Sequence, residues 1–221
     1  MTSKKPLKTI IPAITARVRL DFEGVPGSHD WGHVERVLAL CMHISRVEGG
    51  DRDVLTLAAI LHDIGRLRKY NRGRHQDCHA ESGAVIAKGI LEAHGLDADL
   101  TDRVVHCIAA HRYRGENRPE SLEARILFDA DKLDSIGAVG VGRDFMFAAE
   151  IGARFHNGPE VDLEKTKPFT REDTAYREYV FKLQDIHKRM LTGEGRRLAR
   201  ERHAFMKAFF KRMLREIRGE I

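Results

Sequence analysis

Apolar residues recur along this 221-residue chain at spacings of three and four, the period of helices buried on one side, and no segment shows convincing strand-like alternation. The pattern predicts a first helix over residues 7–22, ended by "EGVPG". A second covers 31–47, with Ser28 or Asp30 as N-cap candidates and Gly49-Gly50 as its stop. The third, 53–62, carries the nearly unbroken apolar string "VLTLAAIL" and stops at Gly65, where the chain is expected to turn away. After the polar loop "RKYNRGRHQDC", further helices are predicted over 80–94, 99–111 and 121–136. The glycine-rich link "GAVGVG" reads as a close-packed connection into a seventh helix, "RDFMFAAEIGARF". Residues 157–174 hold Pro159, Pro168 and many charges and read as a long excursion; two long helices, 175–191 and 194–218, complete the chain. The expectation is one all-α domain.

Composition narrows the class. With 42% hydrophobic and 32% charged residues the chain suits a globular core with a solvated surface. No apolar run approaches a membrane span, and the start of the chain lacks the apolar stretch of a secretory signal, so a cytoplasmic protein is expected. Cys41, Cys78 and Cys107 are widely spaced and form neither a disulfide framework nor a zinc knuckle. The net charge of +5 fits a nucleic-acid partner or a site for anionic metabolites. Its excess lies in the C-terminal stretch "GEGRRLARERHAFMKAFFKRMLREIRGEI", which reads as an amphipathic surface helix. No stacking platform or DNA-reading motif supports nucleic acid, and Phe205, Phe209 and Phe210 read as core contacts or as contacts of a homodimer.

Histidine changes the picture. There are twelve, most of them between His29 and His111. His33 shares a helix face with Val37, Leu40 and Ile44; His62 and Asp63 finish the stripe of Val54, Leu57, Ala58 and Leu61. Asp131 belongs with Leu127, Ala130 and Ile136. A buried carboxylate without a cation is very unfavourable. Taken singly, His33 is explained as a satisfied core histidine, Asp63 as a helix-end acceptor and Asp131 as a partner of Arg125 or Lys132. Those explanations need three separate partners, whereas one divalent metal held by two imidazoles and two carboxylates accounts for all four burials together.

The order His33, His62-Asp63, Asp131, with the strings "SHDWGHVERVLAL", "LAAILHDIGR", "HAESGAVIAKGIL", "IAAHRYR" and "EARILFDADKLDSIGAVGVGR", resembles the HD-domain superfamily of metal-dependent phosphohydrolases. The resemblance implies a compact helical bundle over about residues 28–143 with the metal between helices, ligated by those four residues. Residues 158–221 would then be a helical extension of the same domain. It further implies hydrolysis of a phosphomonoester or phosphodiester, of a nucleotide or related metabolite, by a metal-activated water.

Mixed nitrogen and oxygen ligation without sulfur suits Mn, Fe, Co, Ni or Mg better than a structural zinc site. Such an ion lowers the pKa of a water and polarises a phosphoryl oxygen; Asp63 is the candidate to orient that water. Arg66, one turn on, is the candidate first contact for phosphate. His79 and His111 face inward from their helices and are candidates either for substrate phosphate or, with Asp63 bridging, for a second metal. His29 and Asp134 are candidates to support the ligands from behind. Lys132 is expected to point outward or to pair with Asp129; His106 falls on the face opposite Val104 and Ile108, His43 lies off the His33 stripe, His75 sits in a polar loop, and His94, His156, His187 and His203 read as bland. An alternative of another class is a regulatory module that binds nucleotide phosphates without turnover.

Overall fold

The computed structural model describes residues 6–25, 27–67, 78–112 and 117–221, and among these it is all-α, without strands. The polar loop predicted after the third helix, with His75, lies outside the described residues except for Cys78. Two compact units divide at Asp131 and Lys132.

The first unit contains α1 (Leu7–Asp21), α2 (Trp31–Glu48), α3 (Arg52–Leu61), α4 (His79–Ala93), α5 (Ala98–Ala110) and most of α6 (Leu122–Asp134). Its centre is α3, whose last six residues except Thr56 are buried, as are Val54 and Leu55 nearer its start. A helix apolar on every side belongs in the interior, and α1, α2 and α5 all pack on it. This is why the residues that follow its last turn arrive inside the protein. Asp51 caps its start, its side chain accepting from the amides of Asp53 and Val54. Of the two N-cap candidates for α2, Asp30 is the one used: its carboxylate accepts from the amide of His33 at 2.9 Å.

After Leu61 the chain does not turn away at Gly65. It continues as a 3-10 turn, Ile64–Arg66, pressed against the start of α4. A Cβ built on Gly65 would stand 2.2 Å from the carbonyl oxygen of His79 and 2.7 Å from the amide nitrogen of Gly83. Glycine is therefore required here for a close backbone approach, not for a turn.

The second unit differs from expectation in two places. The glycine-rich segment is not a connection but the first half of α7 (Gly137–Glu150), and this helix ends before Gly152. Gly140 is needed inside it because a Cβ there would lie 2.5 Å from the backbone of Ser135. The predicted helix over 175–191 is broken: α8 spans Ala175–Phe181, Lys182 departs from helical geometry at φ −140°, and Leu183–Arg189 forms a 3-10 segment. Residues between Gly152 and Thr174 hold no α-helix, only a 3-10 turn at Leu163–Lys165. The long α9 (Gly193–Ile217) packs against α7, and Phe210 stacks on Tyr179 with ring centroids 4.5 Å apart. Phe210 is thus a core residue, whereas Phe205 is about half exposed.

Candidate metal centre

Five elements of the first unit deliver polar side chains to one place. The capped start of α2 supplies His33, the end of α3 supplies His62 and Asp63, α6 supplies Asp131, and the facing ends of α4 and α5 supply His79 and His111. His33, His62, Asp63 and His111 are fully or almost fully buried. The Nε2 atoms of His33 and His62 are 3.1 Å apart. Asp63 Oδ2 lies 3.6 Å from His33 Nε2 and 3.8 Å from His62 Nε2. Asp131 Oδ1 lies 3.5 Å from His33 Nε2. Metal–ligand bonds of about 2.0–2.2 Å separate neighbouring donors by roughly 3.0 Å in an octahedron and 3.5 Å in a tetrahedron. The spacing of His33, His62 and Asp63 suits one ion, and Asp131 lies beside His33 at the edge of that tight group.

The imidazoles are preset for this. His62 ends α3, and its Nδ1 donates to the carbonyl of Ala59 at 2.7 Å; His111 ends α5, and its Nδ1 donates to the carbonyl of Ile108 at 2.6 Å. Carbonyls in a last helical turn lack intrahelical partners. Using them as acceptors fixes the tautomer that leaves Nε2 with its lone pair turned to the cluster.

Asp63 joins two groups. Oδ2 faces His33 and His62, while Oδ1 faces Arg66 Nε at 2.7 Å, His111 Nε2 at 3.7 Å and His79 Nε2 at 3.8 Å. Asp63, His79 and His111 accordingly form a second cluster with metal-ligand spacing. The guanidinium of Arg66 bridges it, Nη2 donating to His79 Nε2 at 2.9 Å. His29 stands behind His33 with ring centroids 5.6 Å apart and shares a hydrogen bond with Ser28.

Asp134, one turn after Asp131 in α6, is buried and forms an ion pair with Arg143 at 3.0 Å. Lys132 is buried and does not point outward. His106, on the face opposite Val104 and Ile108, accepts from the amide of Glu120. Sequence reasoning passed over Asp144 in α7, a buried carboxyl with Oδ2 lacking a hydrogen-bond partner. Burial, with Glu178 adding to it, pushes its pKa up to about 9, so it is neutral at neutral pH. Its signal was a lone acid on the face shared by Gly140, Val141 and Ala148.

The electrostatics of the cluster set a pH dependence. Burial would raise the Asp63 carboxyl, but Arg66 and then His62 and His111 hold it well below the usual range. Burial lowers His62 to about 4, and burial together with the charge of Arg66 lowers His79 to about 3. Both histidines are neutral in the fold but take up a proton near pH 6.5 once unfolded, so between those values the unfolded chain binds more protons. The metal-free fold is expected to lose stability as pH falls from 6.5 towards 4 and to draw no further gain from these groups above 6.5. Asp144 acts oppositely, costing stability as pH rises from its ordinary 3.8 to about 9. Melting curves of EDTA-treated Asp144→Asn at pH 5 and 7.5 isolate the histidines: a lower melting temperature at pH 5 is expected, and an equal or higher one contradicts the assignment.

The helical fold and the buried His/Asp cluster define a class. The HD domain family matches residues 30–136. The chain belongs to the HD-domain superfamily and has the fold of its hydrolases. It is 32% identical over 195 residues to YpgQ of Bacillus subtilis, spanning 86% of this chain and 85% of that protein. The crystal structure of YpgQ in complex with ADP matches with a TM-score of 0.72 and 28% identity, over 95% of each chain. A predicted HD-superfamily hydrolase from an uncultured Thermotogales bacterium matches with a TM-score of 0.63 and 29% identity, over 93% of this chain and 91% of that one. No helix among the described residues is long and apolar enough to cross a membrane.

Proposed function

We propose that the chain is a metal-dependent phosphohydrolase that cleaves a phosphate ester of a nucleotide or related metabolite. The observation that carries this reading is the buried group His33, His62 and Asp63, with Asp131 3.5 Å from His33, in the midst of an apolar core. These four residues would hold one divalent ion, drawn from Mn, Fe, Co, Ni or Mg. When bound, that ion supplies Lewis acidity to a phosphoryl oxygen and lowers the pKa of a water.

The remaining work falls to the chain itself. Asp63, held ionised by its surroundings, offers a fixed acceptor to orient the attacking water. Arg66, with a side chain about one-third exposed, reaches from Asp63 to solvent, where a substrate phosphate approaches. His79 and His111, neutral at neutral pH in the case of His79, line the same side. The apolar wall around α3 excludes bulk water and so strengthens each of these interactions. The ADP complex of YpgQ supports a nucleotide as the ligand class.

The test is a panel of nucleoside mono-, di- and triphosphates, cyclic nucleotides and simple phosphate esters, each assayed with Mn²⁺, Mg²⁺, Co²⁺, Ni²⁺ and Fe²⁺. Metal-dependent phosphate or nucleotide release is expected for at least one nucleotide. Nucleotide binding without turnover under every condition would instead make the chain a phosphate-sensing module.

A further inference from the structure

We propose that Arg66 is a built-in second cation, its guanidinium filling the place that a divalent ion would take between Asp63, His79 and His111, so that the chain binds one ion although its ligands suffice for two. The inference rests on the reading that His33, His62, Asp63 and Asp131 hold a first ion.

Three observations carry it. Asp63, His79 and His111 each offer a ligand atom within 4.8 Å of the other two, and Asp63 Oδ1 lies 3.8 Å from His79 Nε2 and 3.7 Å from His111 Nε2. A triangle of that size places an ion about 2.0–2.4 Å from each corner, in the range of metal–ligand bonds. Two of those corners are already engaged by the guanidinium, which donates Nε–H to Asp63 Oδ1 at 2.7 Å and Nη2–H to His79 Nε2 at 2.9 Å. The lone pairs that an ion would need are thereby used, and a guanidinium and a metal ion cannot both stand within bonding distance of the same two atoms.

The residue type suits the role. The planar fork of arginine presents two donors in fixed geometry to two acceptors 3.8 Å apart, which the single point charge of a lysine does not. The 3-10 turn fixes the fork's origin, since Arg66 closes that turn and its amide donates to the carbonyl of Asp63. Arg66 also leaves Asp63 Oδ2 untouched on the side of His33 and His62, so the first ion keeps its ligand.

The experiment counts metal, not turnover. Full-length wild type, Arg66→Ala, His79→Ala and Arg66→Ala/His79→Ala are stripped with EDTA, loaded with excess Mn²⁺, desalted and analysed for bound manganese and by electron paramagnetic resonance. One ion per chain is expected in wild type, two in Arg66→Ala and one in the double variant. The Arg66→Ala spectrum should show the broadening of two Mn²⁺ ions coupled through the shared Asp63 carboxylate. His79→Ala should retain one ion with affinity within about twofold of wild type, and a loss of tenfold or more would overturn the proposal even if Arg66→Ala fails to fold. Two ions in wild type, or one in folded Arg66→Ala, would overturn the proposal while leaving the first site intact. No bound ion in wild type would overturn both.

Discussion

Replacing Asp63 with alanine is expected to lower the proposed phosphohydrolase turnover by about a thousandfold or more while leaving the helical fold in place. The carboxylate is the one group shared by both halves of the site, with Oδ2 towards His33 and His62 and Oδ1 towards Arg66, His79 and His111. A divalent ion contributes several kcal/mol of transition-state stabilisation, and each 1.4 kcal/mol is about tenfold in rate. The fold should survive because the imidazole of His62 is already neutral in its burial and Arg66 is partly exposed and can turn to water. Breaking the ion pair is expected to cost about 1–3 kcal/mol, below the usual penalty for a fully buried pair. Asp63→Asn separates charge from shape: it keeps an acceptor for Arg66 and should be nearly as inactive. Turnover and circular dichroism of both variants check this, and activity within tenfold of wild type in either would be incompatible with the assigned role.

Gly65→Ala is expected to be the most damaging small substitution outside the ligands, costing about 3 kcal/mol or more. The added methyl would meet the carbonyl oxygen of His79 at 2.2 Å and the amide nitrogen and Cα of Gly83 at 2.7 and 2.9 Å. These are backbone atoms of a helix and cannot rotate aside, so the turn and α4 must separate; overpacking of this kind costs 1–3 kcal/mol and sometimes more. The separation also pulls Asp63 and Arg66 away from His79. Gly83→Ala is the natural control, because its methyl would meet Gly65 N and His62 O at 3.3 and 3.4 Å, contacts that need only a few tenths of an ångström of adjustment. Urea denaturation should show a loss in Gly65→Ala at least twice that in Gly83→Ala; equal losses would mean the turn and helix are not in the contact described.

The two substitutions mark what was and was not legible in the sequence. The face positions of His33, His62 and Asp131 followed from helical spacing alone, because each interrupts an apolar stripe whose direction the period fixes. Adjacent Asp63 followed from the same stripe together with its order in the chain. The role of Gly65 did not follow, since a turn glycine and a close-approach glycine read alike until the partner backbone is placed. The pairing of Arg66 with His79 was equally hidden, as it joins residues across a loop through a tertiary contact. In the second unit, glycine's low helix propensity argued for a link where α7 begins, but the contact of Gly140 with the Ser135 backbone overrode it. The break at Lys182 left no sign in the apolar period, because Leu183 and Ile186 still face inward from a 3-10 segment.

Binding of one divalent ion by His33, His62, Asp63 and Asp131 is open to calorimetric titration of EDTA-stripped protein with Mn²⁺, using wild type beside His33→Ala and Asp131→Ala. One ion per chain is expected in wild type, with an affinity at least about a hundredfold weaker in His33→Ala and a clear loss in Asp131→Ala. A wild-type protein that binds no ion, or variants that bind it as tightly as wild type, would contradict that ligand set.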